Sequence, residues 1–336
     1  MTSERRAPVP ASHPRPLAGL TLMAVLAHPD DEALACGGTL ARAADAGAAV
    51  VVVCASRGEM GSLSDPALAP DGDLGRARAL ELSASAAELG VGEVVLLDHP
   101  DGSLRWADGL GEELAALLRR VRPQAVITFD ADGLYWHPDH VGVHEWTTRA
   151  VLLLGAEAPA LYYVTLPAGA VRGLCEAAHA RGGSPPGAAL WGISPDAFGA
   201  LAPPSGFRVD VRDQAARKLA ALRHHHTQAG AGSPFRWASE EDARAWLGVE
   251  LFRRAPTATA FGDVLEHLAD GAGDNMEGGA REASGNVPAG GEGGPVAGSA
   301  GGPVTVRGSG PVAVRAGGPG GARDGLDDPP SGGPVA

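Results

Sequence analysis

Aromatic residues make up only 4% of this 336-residue chain, and its cysteines number 3. Cys36, Cys54 and Cys175 form no C-x-x-C pair, and an odd count leaves no complete internal disulfide set. Disulfide-framework folds are therefore excluded, and a reducing, cytoplasmic setting is expected. No segment approaches the ~20 apolar residues of a membrane span. Arg5 and Arg6 ahead of the apolar run Leu17 to Ala27 loosely resemble a signal peptide. That run leads directly into His28-Pro-Asp-Asp-Glu32, however, and reads as a first β-strand. Runs of positive charge are also missing. Basic residues total 27 against 40 acidic ones, for a formal net charge of −13, which argues against nucleic acid or an anionic membrane as partner.

Glycine (49) and proline (27) are abundant, and much of both lies at the C-terminal end, where Gly-Gly-Pro-Val recurs at positions 293, 301 and 332. Such a composition buries no core. The expected organisation is a flexible leader over residues 1–19, one domain over 20–255 and a disordered tail over 271–336. Within the domain, apolar strand-like runs alternate with helical stretches. Strands are predicted near 22–27, 49–54, 93–97, 125–128, 161–164 and 207–211. Helices are predicted at 36–46, 74–89, 110–121, 141–153, 212–226 and from Ser239 to about Arg253. Gly182 to Gly206 reads as a long loop. The β-α-β-α rhythm predicts an α/β, Rossmann-like, three-layer fold around a mainly parallel sheet.

Polar residues gather where these strands end. His28, Asp30 and Asp31 follow the first strand, and Arg57 with Glu59 the second. Asp98 and Asp101 follow the third, and Asp130 through His140 the fourth. In an open α/β sheet those ends share one edge, so distant segments converge there. A catalytic zinc takes three protein ligands and keeps one position for water. His28 and Asp31 supply an imidazole and a carboxylate, and the pair His137/His140 supplies a third ligand and a spare histidine. Asp30, a second carboxylate beside the metal, suits proton abstraction from water. A protonated histidine opposite would stabilise an oxyanion and protonate a leaving nitrogen. Asp139 is placed to hold a histidine ring in its working tautomer.

Ala27-His-Pro-Asp-Asp-Glu32 with Gly37-Gly-Thr39, and Tyr135-Trp-His-Pro-Asp-His140, resemble the paired motifs of the PIG-L/LmbE family of zinc-dependent N-deacetylases. The resemblance continues in Ser56-Arg-Gly-Glu59, Arg78-Ala-Leu-Glu81 and His225-His-Thr-Gln228, covering about residues 20–253. It implies His28, Asp31 and His140 as metal ligands, zinc or alternatively Fe2+ as the metal, Asp30 as general base and His137 as oxyanion stabiliser or acid. It further implies Tyr135 as a site-lining residue and His225 as lying near the substrate. The expected substrate is a small amino-sugar conjugate bearing an N-acetyl group, and self-association into a homo-oligomer stays open.

Other readings compete at several positions. Arg57 and Glu59 either bind substrate or pair with one another, while Arg78 and Glu81, at i and i+3, read as a surface ion pair. His99-Pro-Asp101 repeats the first motif's triplet without its second carboxylate and reads as a substrate-side loop. His144, one turn past His140, reads as a solvated or packing residue. At the level of function, the rivals are an amidase of the same family acting on larger acyl groups and a catalytically silent sugar-binding protein. Retention of Asp30 and His137, which metal ligation alone does not need, argues against the second.

Overall fold

The computed structural model describes residues 16–63, 65–183, 190–199 and 206–269. The expected Gly-rich tail, and residues 1–15 of the expected leader, lie outside them. Seven strands form one sheet: β1 (Thr21–Leu26), β2 (Ala49–Cys54), β3 (Glu93–Leu96), β4 (Ala125–Phe129), β5 (Ala160–Thr165), β6 (Phe207–Asp210) and β7 (Val249–Arg254). Their order is β3-β2-β1-β4-β5-β7-β6. The first five run parallel, and β7 pairs antiparallel with both β5 and β6. The central strands are buried along nearly their whole length, as continuous Val/Ile/Leu runs demand when helices cover both faces.

The helices are α1 (Asp31–Asp45), α2 (Leu74–Leu89), α3 (Leu110–Val121), the short α4 (Gly133–Trp136), α5 (Pro138–Leu152), α6 (Ala170–Ala180), α7 (Ala215–His224), α8 (Pro234–Trp237) and α9 (Glu240–Trp246). Registers Leu26↔Cys54 and Ala24↔Ile127 bring the C-terminal ends of β1, β2 and β4 level with one another. Strand order reverses between β1 and β4, and a crevice opens at such a switch point. The first motif leaves β1 on one side of it, and the second leaves β4 on the other.

The predicted helix from Ser239 to about Arg253 is corrected. Ser239 does cap a helix through a reciprocal capping box with Asp242, but α9 ends at Trp246 and Val249–Arg254 is strand β7. Glu250, on β7, is fully buried. Its carboxylate accepts the backbone N–H groups of Gly38 (2.9 Å) and Thr39 (2.8 Å), just past Cys36, where α1 departs from helical geometry. Gly38 is required there, since a Cβ would sit 2.4 Å from Val211 Cγ2.

The chain's only lysine, Lys218 on α7, neutralises this carboxylate at 2.6 Å and is itself fully buried. Removing one partner of a buried pair strands the other charge. Lys218→Met is therefore expected to lower unfolding free energy by about 3–5 kcal/mol, read by chemical denaturation. A loss within about 0.5 kcal/mol, the range of ordinary surface changes, would contradict this account of the kink.

Candidate active site and metal centre

The turn between β1 and α1 bends sharply because Asp30, at the helix N-cap, sits at φ 119°, a backbone region where Asp and Asn are the enriched non-glycine residues. Two buried groups hold it. The Asp30 N–H donates to Glu32 Oε2 at 2.9 Å, and Arg78 Nη2 lies 3.2 Å from Asp30 Oδ2. The same guanidinium donates to the carbonyls of Gly58 and Pro29. Burial pushes the Asp30 carboxyl up to about 6, against the pull of the Arg78 cation and with the push of neighbouring Asp31.

Across the crevice, Gly133 and the positive φ angles of Leu134 (66°) and Trp136 (67°) turn the chain from β4 into α5. His140 lies in the first turn of α5, its ring stacked on Phe129 with centroids 4.1 Å apart. His140 Nδ1 is 3.0 Å from the Gly133 carbonyl, which can only accept, so Nδ1 carries the proton and Nε2 offers a lone pair. His28 Nε2 faces two carboxylates, Asp101 at 3.0 Å and Asp139 at 3.2 Å. Nε2 is therefore protonated, and Nδ1 offers the lone pair. Burial disfavours charge on His28, yet hydrogen bonds to Asp101, Asp139 and Asp31 raise its pKa well above the ordinary value.

The two lone pairs meet. His28 Nδ1 and His140 Nε2 are 3.3 Å apart, Asp31 Oδ1 is 3.2 Å from His140 Nε2, and Asp31 Oδ2 is 3.5 Å from His28 Nδ1. A tetrahedral cation at about 2.0–2.1 Å from each ligand spaces its ligands about 3.4 Å apart. The raised pKa of His28 lets a proton hold these groups together when no metal is bound, and release of that proton leaves two imidazole lone pairs and a carboxylate at separations that fit a metal ion. Two other triplets are also close enough to hold one, His28/His137/His140 and His28/Asp101/Asp139. Both fit less well. His137 Nδ1 accepts the Asp139 N–H at 3.2 Å, which leaves Nε2 protonated. Asp101 and Asp139 already engage the protonated nitrogen of His28.

His137 flanks the centre as a neutral donor. Burial, then the nearby His140 and His28, lower its pKa to about 4. At that pKa the ring is neutral at pH 7, with Nδ1 accepting from Asp139 and the proton on Nε2. Tyr135 packs edge-on against His137 and His140. Asp139 holds His28 and is itself fixed by the N–H groups of Gly102 (2.7 Å) and Leu104 (2.9 Å). His28, Asp30, Asp31, Arg78, Tyr135 and His137 all line one cavity of about 380 Å3.

The candidate substrate contacts lie elsewhere. Arg57 pairs with Asp98 at 2.8 Å, and Glu59 accepts the Asp101 N–H at 2.9 Å, so they do not pair with one another. Neither is among the residues lining the catalytic cavity. His225 is fully buried against Glu32 at 2.7 Å and lines no part of that cavity either. Burial disfavours charge on its ring, but the Glu32 carboxylate outweighs this and raises its pKa. His225 thus stands behind Asp30, steadying the carboxylate that accepts the Asp30 N–H.

Sequence reasoning missed three more residues. Arg78 is buried in the site, and its supposed partner Glu81 instead accepts from Thr227 N (2.8 Å) and Oγ1 (2.7 Å). Asp101 reaches His28; burial alone would raise its carboxyl, but the hydrogen bond and charge of His28, the Met60 N–H and the Arg78 cation together bring it down to about 2. Glu32 links Asp30 to His225. As expected, His144 is a packing residue, with Nδ1 at 2.8 Å from the Phe129 carbonyl and its ring on Tyr163.

Residues 23–151 match the family model described as PIG-L, GlcNAc-PI de-N-acetylase. A relative from Kineococcus radiotolerans, named 1D-myo-inositol 2-acetamido-2-deoxy-alpha-D-glucopyranoside deacetylase, is 34% identical over 62% of this chain and 68% of its own length. A relative of the same name from Thermobispora bispora is 32% identical over 70% of this chain and 88% of its own length. Among solved structures, the N,N'-diacetylchitobiose deacetylase from Pyrococcus horikoshii aligns with a TM-score of 0.52 at 22% identity, over 70% of this chain and 84% of that one, a likeness of fold. Among the described residues, no helix is long and apolar enough to cross a membrane.

Proposed function

Because this chain belongs to the PIG-L family, we propose that it is a zinc-dependent N-deacetylase whose substrate is an N-acetylglucosamine conjugate of the inositol type named for its relatives. The convergence of His28 Nδ1, Asp31 and His140 Nε2 at 3.2–3.5 Å beside Asp30 carries this reading. Zinc suits a His/Asp/His set with one position left for water. A cation held there lowers the pKa of water and polarises the amide carbonyl.

The chain's own residues supply the rest. Asp30, with a pKa near 6, is ionised at pH 7 and takes the proton of the attacking water as the new C–O bond forms. His137 Nε2–H donates to the carbonyl oxygen as negative charge develops on it. The C–N bond then breaks, and the proton held by Asp30 passes to the departing nitrogen. Acetate and the free amine leave. Arg78 keeps the Asp30 carboxylate in place, and Asp101 with Asp139 keeps the proton of His28 away from the centre.

Purified, zinc-loaded protein is expected to release primary amine and acetate in equal amounts from 1D-myo-inosityl 2-acetamido-2-deoxy-α-D-glucopyranoside. No amine release from this conjugate or a panel of other N-acetylglucosamine conjugates would refute the proposal.

A further inference from the structure

A second cavity, of about 930 Å3, adjoins the catalytic one at Gln228 and Trp191. Those residues and Ser62 line both, and the second is walled further by Asp65, Leu68, His226, Gly232, Pro234 and Arg236. The shared wall is pinned in place. Gln228 Nε2 donates to the Ser62 carbonyl at 3.1 Å, and Trp191 Nε1 donates to the Gln228 carbonyl at 3.4 Å. Thr227, beside them, is fixed twice by Glu81.

Trp191 also holds an unfavourable backbone. Leu190 and Ile193 exchange both backbone hydrogen bonds, so Trp191 (φ 54°) and Gly192 (φ 80°) are the two central residues of a tight hairpin. Both central positions of such a turn call for glycine, asparagine or aspartate. A bulky side chain persists there only where its surroundings enforce it, and such outliers cluster at ligand sites. Here the outlier is the aromatic residue between two cavities.

The lining of the second cavity is that of a carbohydrate site. An indole offers an apolar face to the C–H side of a ring, and hydroxyl, amide, carboxylate and imidazole groups serve ring hydroxyls. The Arg236 guanidinium has no hydrogen-bond or ion-pair partner among the described residues and supplies further donors. Both cavities fall in the ~300–1,000 Å3 range of small-ligand sites, one at its low end and one near its top. The smaller suits the single reacting sugar, and the larger exceeds what one further ring fills.

We infer that the second cavity is an extended aglycone subsite: its nearer part, on the Trp191 platform, takes the ring next to the reacting N-acetylglucosamine, such as the inositol of the conjugate above, and the remainder takes further hydroxylated rings of oligosaccharide-like conjugates. This rests on the deacetylase reading and extends it. Discrimination falls on aglycone length, so small conjugates are turned over with a higher KM than extended ones.

Gly232 provides the test. Gly232 lines the chamber and a Cβ there meets nothing within 4 Å, so Gly232→Trp adds an indole at its wall without moving backbone. Kinetics are compared on N-acetylglucosamine, N,N′-diacetylchitobiose and N,N′,N″-triacetylchitotriose. In the wild type, kcat/KM is expected to rise about tenfold or more along the series through KM. Gly232→Trp removes that gain, raising KM for the trimer about tenfold with kcat within about twofold. Arg236→Ala, which adds no bulk, raises trimer KM about fivefold, the loss of one hydrogen-bonding partner.

A flat wild-type series, or a folded Gly232→Trp protein with unchanged trimer KM, overturns the inference. Calorimetric binding to Asp30→Asn protein separates it from the deacetylase reading. Trimer binding about tenfold tighter than monomer, reversed by Gly232→Trp, supports the chamber even if nothing is hydrolysed. Equal binding of monomer and trimer overturns the chamber even if both are hydrolysed.

Discussion

Asp30→Asn is expected to lower kcat by about 10²–10⁴-fold, the usual worth of a general base, while bound metal stays at the wild-type level. The substitution is chosen for its backbone. Asn tolerates the φ of 119° that Asp30 adopts, where Ala would add strain, and its side-chain oxygen can still accept from Arg78. Asp30 contributes no atom to the converging triplet, so the metal has no reason to leave. What is lost is a carboxylate that burial tunes to about 6 and that stands within the catalytic cavity. Steady-state kinetics with metal analysis on the same preparation checks both halves. Unchanged turnover would remove Asp30 from the role of base, and loss of metal would make it a ligand.

His140→Ala should cost more, because it removes the metal as well as the chemistry. Losing a partner one step away from a metal ligand typically weakens metal binding about 10–100-fold, and losing a ligand exceeds that. The protein is expected to come off a metal-free column nearly empty and inactive. His144→Ala, one helical turn on, is the control, since His144 packs on Tyr163 and should leave metal content intact. His137→Ala decides between the competing triplets. If His28, Asp31 and His140 are the ligands, His137→Ala keeps its metal and loses about 10²–10³-fold in kcat, the worth of one oxyanion donor. Loss of metal in His137→Ala together with retention in Asp31→Asn would favour the histidine triplet instead.

The parallel sheet and the meeting of the two motifs were legible in the sequence because both depend on local pattern. Val-rich runs bounded by helical stretches fix strand positions, and strand ends in this topology share an edge. The supporting residues were harder to read, since each looks like something ordinary. Arg78 and Glu81 match a helix-surface ion pair. Yet Arg78 falls on the buried stripe Leu74-Arg78-Leu82-Ser85-Leu89, and a charge on an apolar stripe was the available signal. Glu250 lies inside a segment that begins with a genuine helix cap, and the cap masked the strand that follows it. Its partner Lys218 lies on another element, and nothing local announces a pair that forms across α7, β7 and the kink of α1. His225 was drawn to the substrate by motif resemblance alone, and the structure buries it against Glu32, behind Asp30. Asp101 reads as part of a decoy triplet because its contact with His28 is made across more than seventy residues of chain.

Zinc titration of chelator-treated protein tests the central claim most directly. Amine release from the inositol conjugate should be absent without metal, rise linearly with added zinc and level off at one equivalent per chain. Full activity in the metal-free protein, or activation that requires two or more equivalents, would contradict a single catalytic ion held by His28, Asp31 and His140.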